Sequence, residues 1–188
     1  VIGTGTLAPY MVRAYCAMRP AITRVRIWGR TPARAVALAN MLASEGLPVE
    51  ACPDEPNAVH DALAASHIVC AATTSRTPIV EGAWLQAGTH VDLVGGFTPA
   101  MREADDDTMC ASRIVVDSYD GALSEAGDLV DPLARRVFPR GQVVAELRAQ
   151  MELCKRVLGK VPTTRGGGDN GTTPWAKAVT QVGAEYKL

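Results

Sequence analysis

Hydrophobic positions change their period repeatedly along the chain. Val1 and Ile2 are apolar and run straight into Gly-Thr-Gly. Between residues 6 and 19, Leu7, Ala8, Met11, Val12, Tyr15 and Met18 recur at the spacing of one helix face, and Pro20 stops the run. Residues 25–28 form a short apolar strand, and Thr31-Pro32 opens a second helix that runs to about residue 44. Residues 48–52 read as a strand and 57–65 as a helix with one apolar side. The run HIVCAATTS, 67–75, is apolar until its C-terminal end. A turn at 84–88 precedes the strand HVDLVGG, 90–96. A polar helix is expected from 99 to about 111, a strand at 112–118, and helices at 121–129 and 143–158. Strands alternate with helices, and most strands are apolar on both faces. The pattern predicts an α/β fold of the Rossmann type, a doubly wound parallel sheet with helices on both faces. Residues 1–145 are expected to form the nucleotide-binding domain. Residues 146–188 would supply a C-terminal helix, a Gly-rich loop at 166–171 and a tail.

Composition narrows the function classes. Of the 188 residues, 47% are hydrophobic, which suits a packed core and not a disordered chain. Lys plus Arg number 19 and Asp plus Glu 20, so the formal net charge is −1 and nothing electrostatic points to nucleic acid or an acidic membrane. The longest single-sign run is Asp105-Asp106-Asp107. Neither a signal peptide nor an apolar stretch of about 18 residues appears, so a soluble, cytoplasmic protein is expected. The five cysteines include no CxxC pair, and reduced thiols are the simple reading. His60, His67 and His90 have no spacing with the cysteines that suits a metal, and no metal site is expected.

The candidate chemistry lies where strands end. Gly3-Thr4-Gly5-Thr6-Leu7-Ala8 fits G-x-G-x-x-G/A, with Ala8 in the third place. Gly3 permits the tight turn, Gly5 keeps side-chain atoms away from a pyrophosphate, and Ala8 lets the helix pack closely. The helix start at Thr6 and Leu7 offers free amides and a positive dipole end. The plainer reading is a glycine-rich strand-to-helix turn, but strand before and helix after agree with dinucleotide binding. The second strand ends in Gly29-Arg30-Thr31 without Asp or Glu for ribose hydroxyls. Arg30 and the Thr31 hydroxyl suit a 2′-phosphate, which favours NADP(H) with NAD(H) possible. Alternatively, Arg30 is solvated and Thr31 only caps a helix. Thr73 follows the next apolar strand, where ligands gather in parallel sheets; turn chemistry explains Thr73-Thr74-Ser75 equally well. Val94, Gly95 and Gly96 end a further strand, and two glycines there would admit a flat nicotinamide ring or simply make a tight turn. Arg102 and Glu103 read as a solvated helix face. Glu125 and Asp128 read as capping or exposed acids, and Ser118 as a residue that approaches substrate. Trp28, Trp84 and Trp175 look like packing residues, and no histidine is assigned a catalytic role.

At HVDLVGGFTPAMRE (90–103) and VVDSYDGALSEAGDL (115–129) the chain resembles the ornithine cyclodeaminase/mu-crystallin family. GTGTLA at the start, the strand ending in GRT, AATTS at 71–75 and WLQAGTHV at 84–91 match it in the same order, up to residue 147. In the tail, Trp175-Ala176-Lys177-Ala178-Val179 resembles a family segment with one residue displaced, so Lys177 is given no role. The resemblance implies a further N-terminal segment carrying Arg and Lys that clamp a substrate carboxylate, and a homodimer. This chain is therefore expected to be the cofactor-binding half of an enzyme. Family members that cyclise ornithine carry an Asp after the Val-Gly-Gly/Ala turn; here Phe97 occupies that position and cannot transfer a proton. Phe-Thr-Pro-x-Met-Arg-Glu resembles the branch that reduces cyclic imines. The implied activity is NAD(P)H-dependent reduction of a small cyclic imino acid, Δ1-pyrroline-2-carboxylate or Δ1-piperideine-2-carboxylate, to proline or pipecolate. Three alternatives stand beside it. They are ornithine cyclodeamination, a non-catalytic NADP(H) binder like mu-crystallin, and a shikimate-dehydrogenase-like enzyme, to which VGGFTP and EAGDL have no counterpart.

Overall fold

The computed structural model of the chain describes residues 1–147 and 182–186. Val1 and Ile2 lie between strands β1 (Val25–Ile27) and β3 (Ile68–Ala71). The Ile2 amide donates to the Cys70 carbonyl at 2.7 Å, and the Ala72 amide donates back to Ile2 at 2.8 Å. On the other side, the Trp28 amide donates to the Val1 carbonyl at 2.9 Å. Two residues thus join what would otherwise be two sheets. β1 pairs in parallel with β2 (Val49–Ala51), β3 with β4 (His90–Leu93), and β5 (Ser112–Val116) with β6 (Val143–Glu146). With β7 (Val182–Tyr186), the order across the sheet is β2, β1, Ile2, β3, β4, β7, β5, β6.

Strand alternation sorts the core into two layers. Cys70 joins Met11 and Val94 on one face, while its neighbours Val69 and Ala71 join Val91, Leu93, Ile114 and Val116 on the other. Helix α1 (Ala8–Met18) covers the first face, and Val12 packs with Ile27 and with Ala35, Ala39 and Leu42 of α2 (Pro32–Ser44). The opposite face receives Leu63 of α3 (Ala58–Ala64) and Met109 of α4 (Asp106–Ala111). It also receives Ala122 of α5 (Tyr119–Glu125) and Leu129 of α6 (Gly127–Ala134). Leu42, Leu93 and Leu129 are at most 1% exposed, and each such side chain contributes roughly 1.5–3 kcal/mol by burial. The Rossmann-type α/β architecture is therefore present, with Trp28 and Trp84 packed against the larger cluster.

Several local expectations are corrected. Residues 182–186 form β7, which runs antiparallel between β4 and β5 in a sheet expected to be parallel. The helix expected from residue 99 begins only at Asp106, whose first turn is capped by the Asp105 carboxylate accepting from the Thr108 amide at 2.8 Å. Upstream, the Ile79 and Val80 amides donate to the Glu103 carbonyl at 2.9 and 2.8 Å, and Ala104 bridges Val80, which holds that stretch extended. The helix expected at 121–129 is divided at Ala126 into α5 and α6. Residues 143–146 are a strand, in keeping with the β-branched pair Val143-Val144. The rest of the helix expected to 158, Cys154, the loop at 166–171, Trp175 and Lys177 lie outside the described residues.

Candidate functional site

The first glycine turn leaves the sheet at Ile2 and enters α1. Gly3 has φ +116°, and a Cβ there would collide with the Ala72 carbonyl, so only glycine fits. Gly5 is different: a Cβ there would meet no heavy atom of the described residues within 4 Å. Ala8 is fully buried, which brings the helix close to the sheet. Leu7, at the N-cap, supplies no side-chain cap. Among the described residues no acceptor takes the amides of Thr4, Gly5, Thr6 and Leu7. Four unengaged N–H groups at the positive end of an 11-residue helix form a cradle for an anion.

The next loop, after β1, touches this turn. A Cβ on Gly29 would lie 2.6 Å from the Thr4 Cγ2, so Gly29 makes room for Thr4. Arg30 and Thr31 are exposed, and Arg30 has no ion pair among the described residues. Thr31 occupies the N-cap position of α2 but makes no side-chain capping bond. A cavity of about 160 Å³ opens between the ends of β1 and β2, with Arg30, Trp28, Cys52, Pro53 and Glu55 in its wall. The second-strand wall, Cys52-Pro53, carried no sequence signal beyond its place after an expected strand.

The loops after β3 and β4 are closed by acids that are buried, contrary to the expectation of a solvated face for Glu103 and a capping or exposed role for Asp128. Glu103 is fully buried and Asp128 is 1% exposed. The Glu103 Oε1 accepts from the Thr73 amide and its Oε2 from the Gly95 amide, both at 2.6 Å. The Asp128 Oδ1 accepts from the amides of Glu103 and Ala104 at 2.8 and 2.9 Å. Burial pushes the Glu103 carboxyl up to about 6, against the lowering effect of its amide donors. Asp128 is also raised, again by burial first. The glycines here serve the interior. A Cβ on Gly95 would collide with the Thr73 carbonyl and come within 2.5 Å of Glu103 Oε1, and one on Gly96 would lie 2.5 Å from Asp128 Oδ2. Arg102 is likewise half-hidden, donating to Asp131, Asp106 and the Ala104 carbonyl at 2.7–2.9 Å.

Other candidates fall into place around this edge. Val94 is buried against Met11 and Cys70. The Thr73 hydroxyl accepts from the Ser75 amide at 3.2 Å, so it is engaged in turn chemistry. Phe97 is 48% exposed just past Gly95 and Gly96, outside every core cluster. Ser118 caps α5 by accepting from the Gly121 amide at 3.2 Å, and the Asp117 carboxyl beside it is raised by burial. His90 begins β4 at the far end of the sheet, and His60 packs edge-on to Trp84 at 5.4 Å. No metal-binding cluster occurs among the described residues.

A strand, a turn of amides and a following cation that have no partner among the described residues, a helix and a second strand define the class: a Rossmann-type α/β domain with an anion-ready binding edge. The chain belongs to the ornithine cyclodeaminase/mu-crystallin family, whose model matches residues 1–167. It is 40% identical over 147 residues to Delta(1)-pyrroline-2-carboxylate reductase of Paracoccus denitrificans, covering 78% of this chain and 45% of that protein. It is 32% identical over 120 residues to ketimine reductase mu-crystallin of Macropus fuliginosus, covering 64% of this chain and 36% of that protein. A solved structure of Thermococcus litoralis Delta(1)-pyrroline-2-carboxylate reductase, in complex with NADH and L-proline, superposes with a TM-score of 0.72 at 30% identity. That match covers 90% of this chain and 48% of the other. The chain thus spans about half the length of the relatives it matches.

Proposed function

We propose that this chain is the cofactor-binding part of an NAD(P)H-dependent imine reductase acting on a small cyclic imino acid. The four unengaged amides of Thr4 to Leu7 carry the reading, and the 40% identity to a pyrroline-2-carboxylate reductase gives it a substrate class. The diphosphate of the cofactor binds these amides, with no side chain on Gly5 to hold it away. The adenosine end lies toward the cavity at Arg30 and Cys52. Arg30 and Thr31 hold a 2′-phosphate, so NADP(H) is preferred and NAD(H) accepted. Thr73, Val94 and Gly95 present backbone to the nicotinamide, which when bound supplies the hydride for the C=N carbon. The imine nitrogen enters protonated and keeps its proton. Phe97 donates none; its exposed ring gives a small cyclic substrate an apolar wall and helps exclude water.

In this reading residues 1–145 form most of the binding unit, β7 from the 146–188 segment completes its sheet, and the rest of that segment connects it to the remainder of a homodimer. No described helix is long and apolar enough to cross a membrane, and the four described cysteines are free. Both facts support a cytoplasmic place.

The test uses the full-length protein with Δ1-pyrroline-2-carboxylate and Δ1-piperideine-2-carboxylate. NADPH should be oxidised with either imine, faster than NADH at equal concentration. Ammonia release from ornithine without imine reduction would replace this reading with cyclodeamination. Cofactor binding without turnover would replace it with a mu-crystallin-like binder.

A further inference from the structure

We propose that Glu103 is a positioning residue of this site: its carboxylate latches the loop after β3 to the loop after β4 and so shapes the edge that takes the nicotinamide. The proposal rests on the dinucleotide reading and names a residue that does not itself touch the ligand.

Direct strand pairing between these loops ends where the Val94 amide donates to the Ala71 carbonyl at 2.9 Å. Beyond that point the link runs through Glu103, one oxygen on Thr73 and the other on Gly95. The residue is anchored from behind by Ile79 and Val80, which donate to its carbonyl, and by Asp128, which accepts from its amide. A fully buried carboxylate with no arginine or lysine partner among the described residues is costly, and an apolar side chain would fill the space more cheaply. What the carboxylate adds is a pair of acceptors aimed at two separate loops. Among the described residues the charged groups around it are Asp128 from α6 and Arg102 from its own loop, whose guanidinium donates to Asp106 and Asp131 and lies 3.8 Å from Asp128. The loops after β3 and β4 present amides and the Thr73 hydroxyl to it. Protonation leaves one good acceptor where there were two, so one loop is released.

The experiment compares NADP⁺ with 2′-phospho-ADP-ribose, which lacks the nicotinamide, by titration calorimetry on the full-length protein from pH 7.5 to 5. The ratio of the two affinities isolates the ring end and cancels titration of the 2′-phosphate. In the wild type the ratio should fall about tenfold toward pH 5, because only the ionised latch is competent. Glu103→Gln should show the lowered ratio at pH 7.5 and no further pH dependence, while Glu103→Asp should keep a pH dependence. The wild-type series stands even if a variant fails to fold. A ratio independent of pH in the wild type, or unchanged in Glu103→Gln, overturns the latch and leaves the dinucleotide reading intact. Failure of both ligands to bind at any pH removes that reading and the latch with it.

Discussion

Gly5 and Gly95 sit on the same edge of one sheet, yet a methyl group added at each would meet opposite surroundings. At Gly5 it would enter open space, beside four amides that no described acceptor uses. At Gly95 it would strike the Thr73 carbonyl and crowd the Glu103 carboxylate. The amides of the first turn have no acceptor among the described residues, and in the proposed reading an anion completes it. The second is finished internally: the Gly95 amide donates to the buried Glu103 carboxylate and the Val94 amide to the Ala71 carbonyl. A glycine-rich turn therefore has two distinct physical causes in this molecule: room for a ligand outside, or room for a carboxylate inside. Affinity should depend on the first and folding on the second.

The largest expected effect separates those two roles. Gly95→Ala should destabilise the full-length protein by about 3 kcal/mol, the range of an overpacked core site, as read from urea unfolding. A loss under about 1 kcal/mol would mean that the loop gives way easily and that the contrast is wrong.

Next comes the pH dependence of the buried acid. The folded pKa of Glu103, about 6, lies above its ordinary value of 4.5, so the folded chain holds this proton more tightly than the unfolded chain. Its contribution to stability is full below pH 4.5 and is lost as pH rises through 6. Relative to Glu103→Gln, the wild type should gain on the order of 2 kcal/mol between pH 7 and pH 4.5. Asp106, held down to about 2 by Arg135 and Arg102, titrates below that window. A constant difference between the two proteins would show that the carboxyl is not desolvated.

Gly5→Ala is expected to leave unfolding within about 0.5 kcal/mol of the wild type and to weaken dinucleotide binding about tenfold, or about 1.4 kcal/mol. Unchanged affinity would locate the diphosphate elsewhere. The smallest effect on the fold belongs to Arg30→Ala, on an exposed side chain with no ion pair among the described residues. Stability should not move measurably, whereas the preference for NADPH over NADH, taken from Kd values, should fall about tenfold.

The sequence was informative where one residue's chemistry is local. The turn at 3–8 was legible because backbone conformation, helix start and the missing side chain are all written within six positions. The apolar strands were legible because both faces are covered. Glu103 and Asp128 were not, because their partners are at residues 73, 95, 103 and 104, and a charged residue read alone is assigned to solvent. Gly95-Gly96 and Gly127 were the available signal: each is a glycine that lets an acid or a carbonyl approach closely. The strand at 143–146 is masked in the sequence by the longer helical period that follows, which outweighs the extended preference of the Val-Val pair. β7 pairs with strands far away in sequence, and its position between β4 and β5 has no local mark.

Amide hydrogen exchange of residues 3–8 in the full-length protein, with and without NADP⁺, tests the open turn most directly. The account predicts that the amides of Thr4, Gly5, Thr6 and Leu7 exchange fast alone and become protected when the dinucleotide binds. Saturating cofactor that leaves those four amides exchanging at their free rates would contradict it.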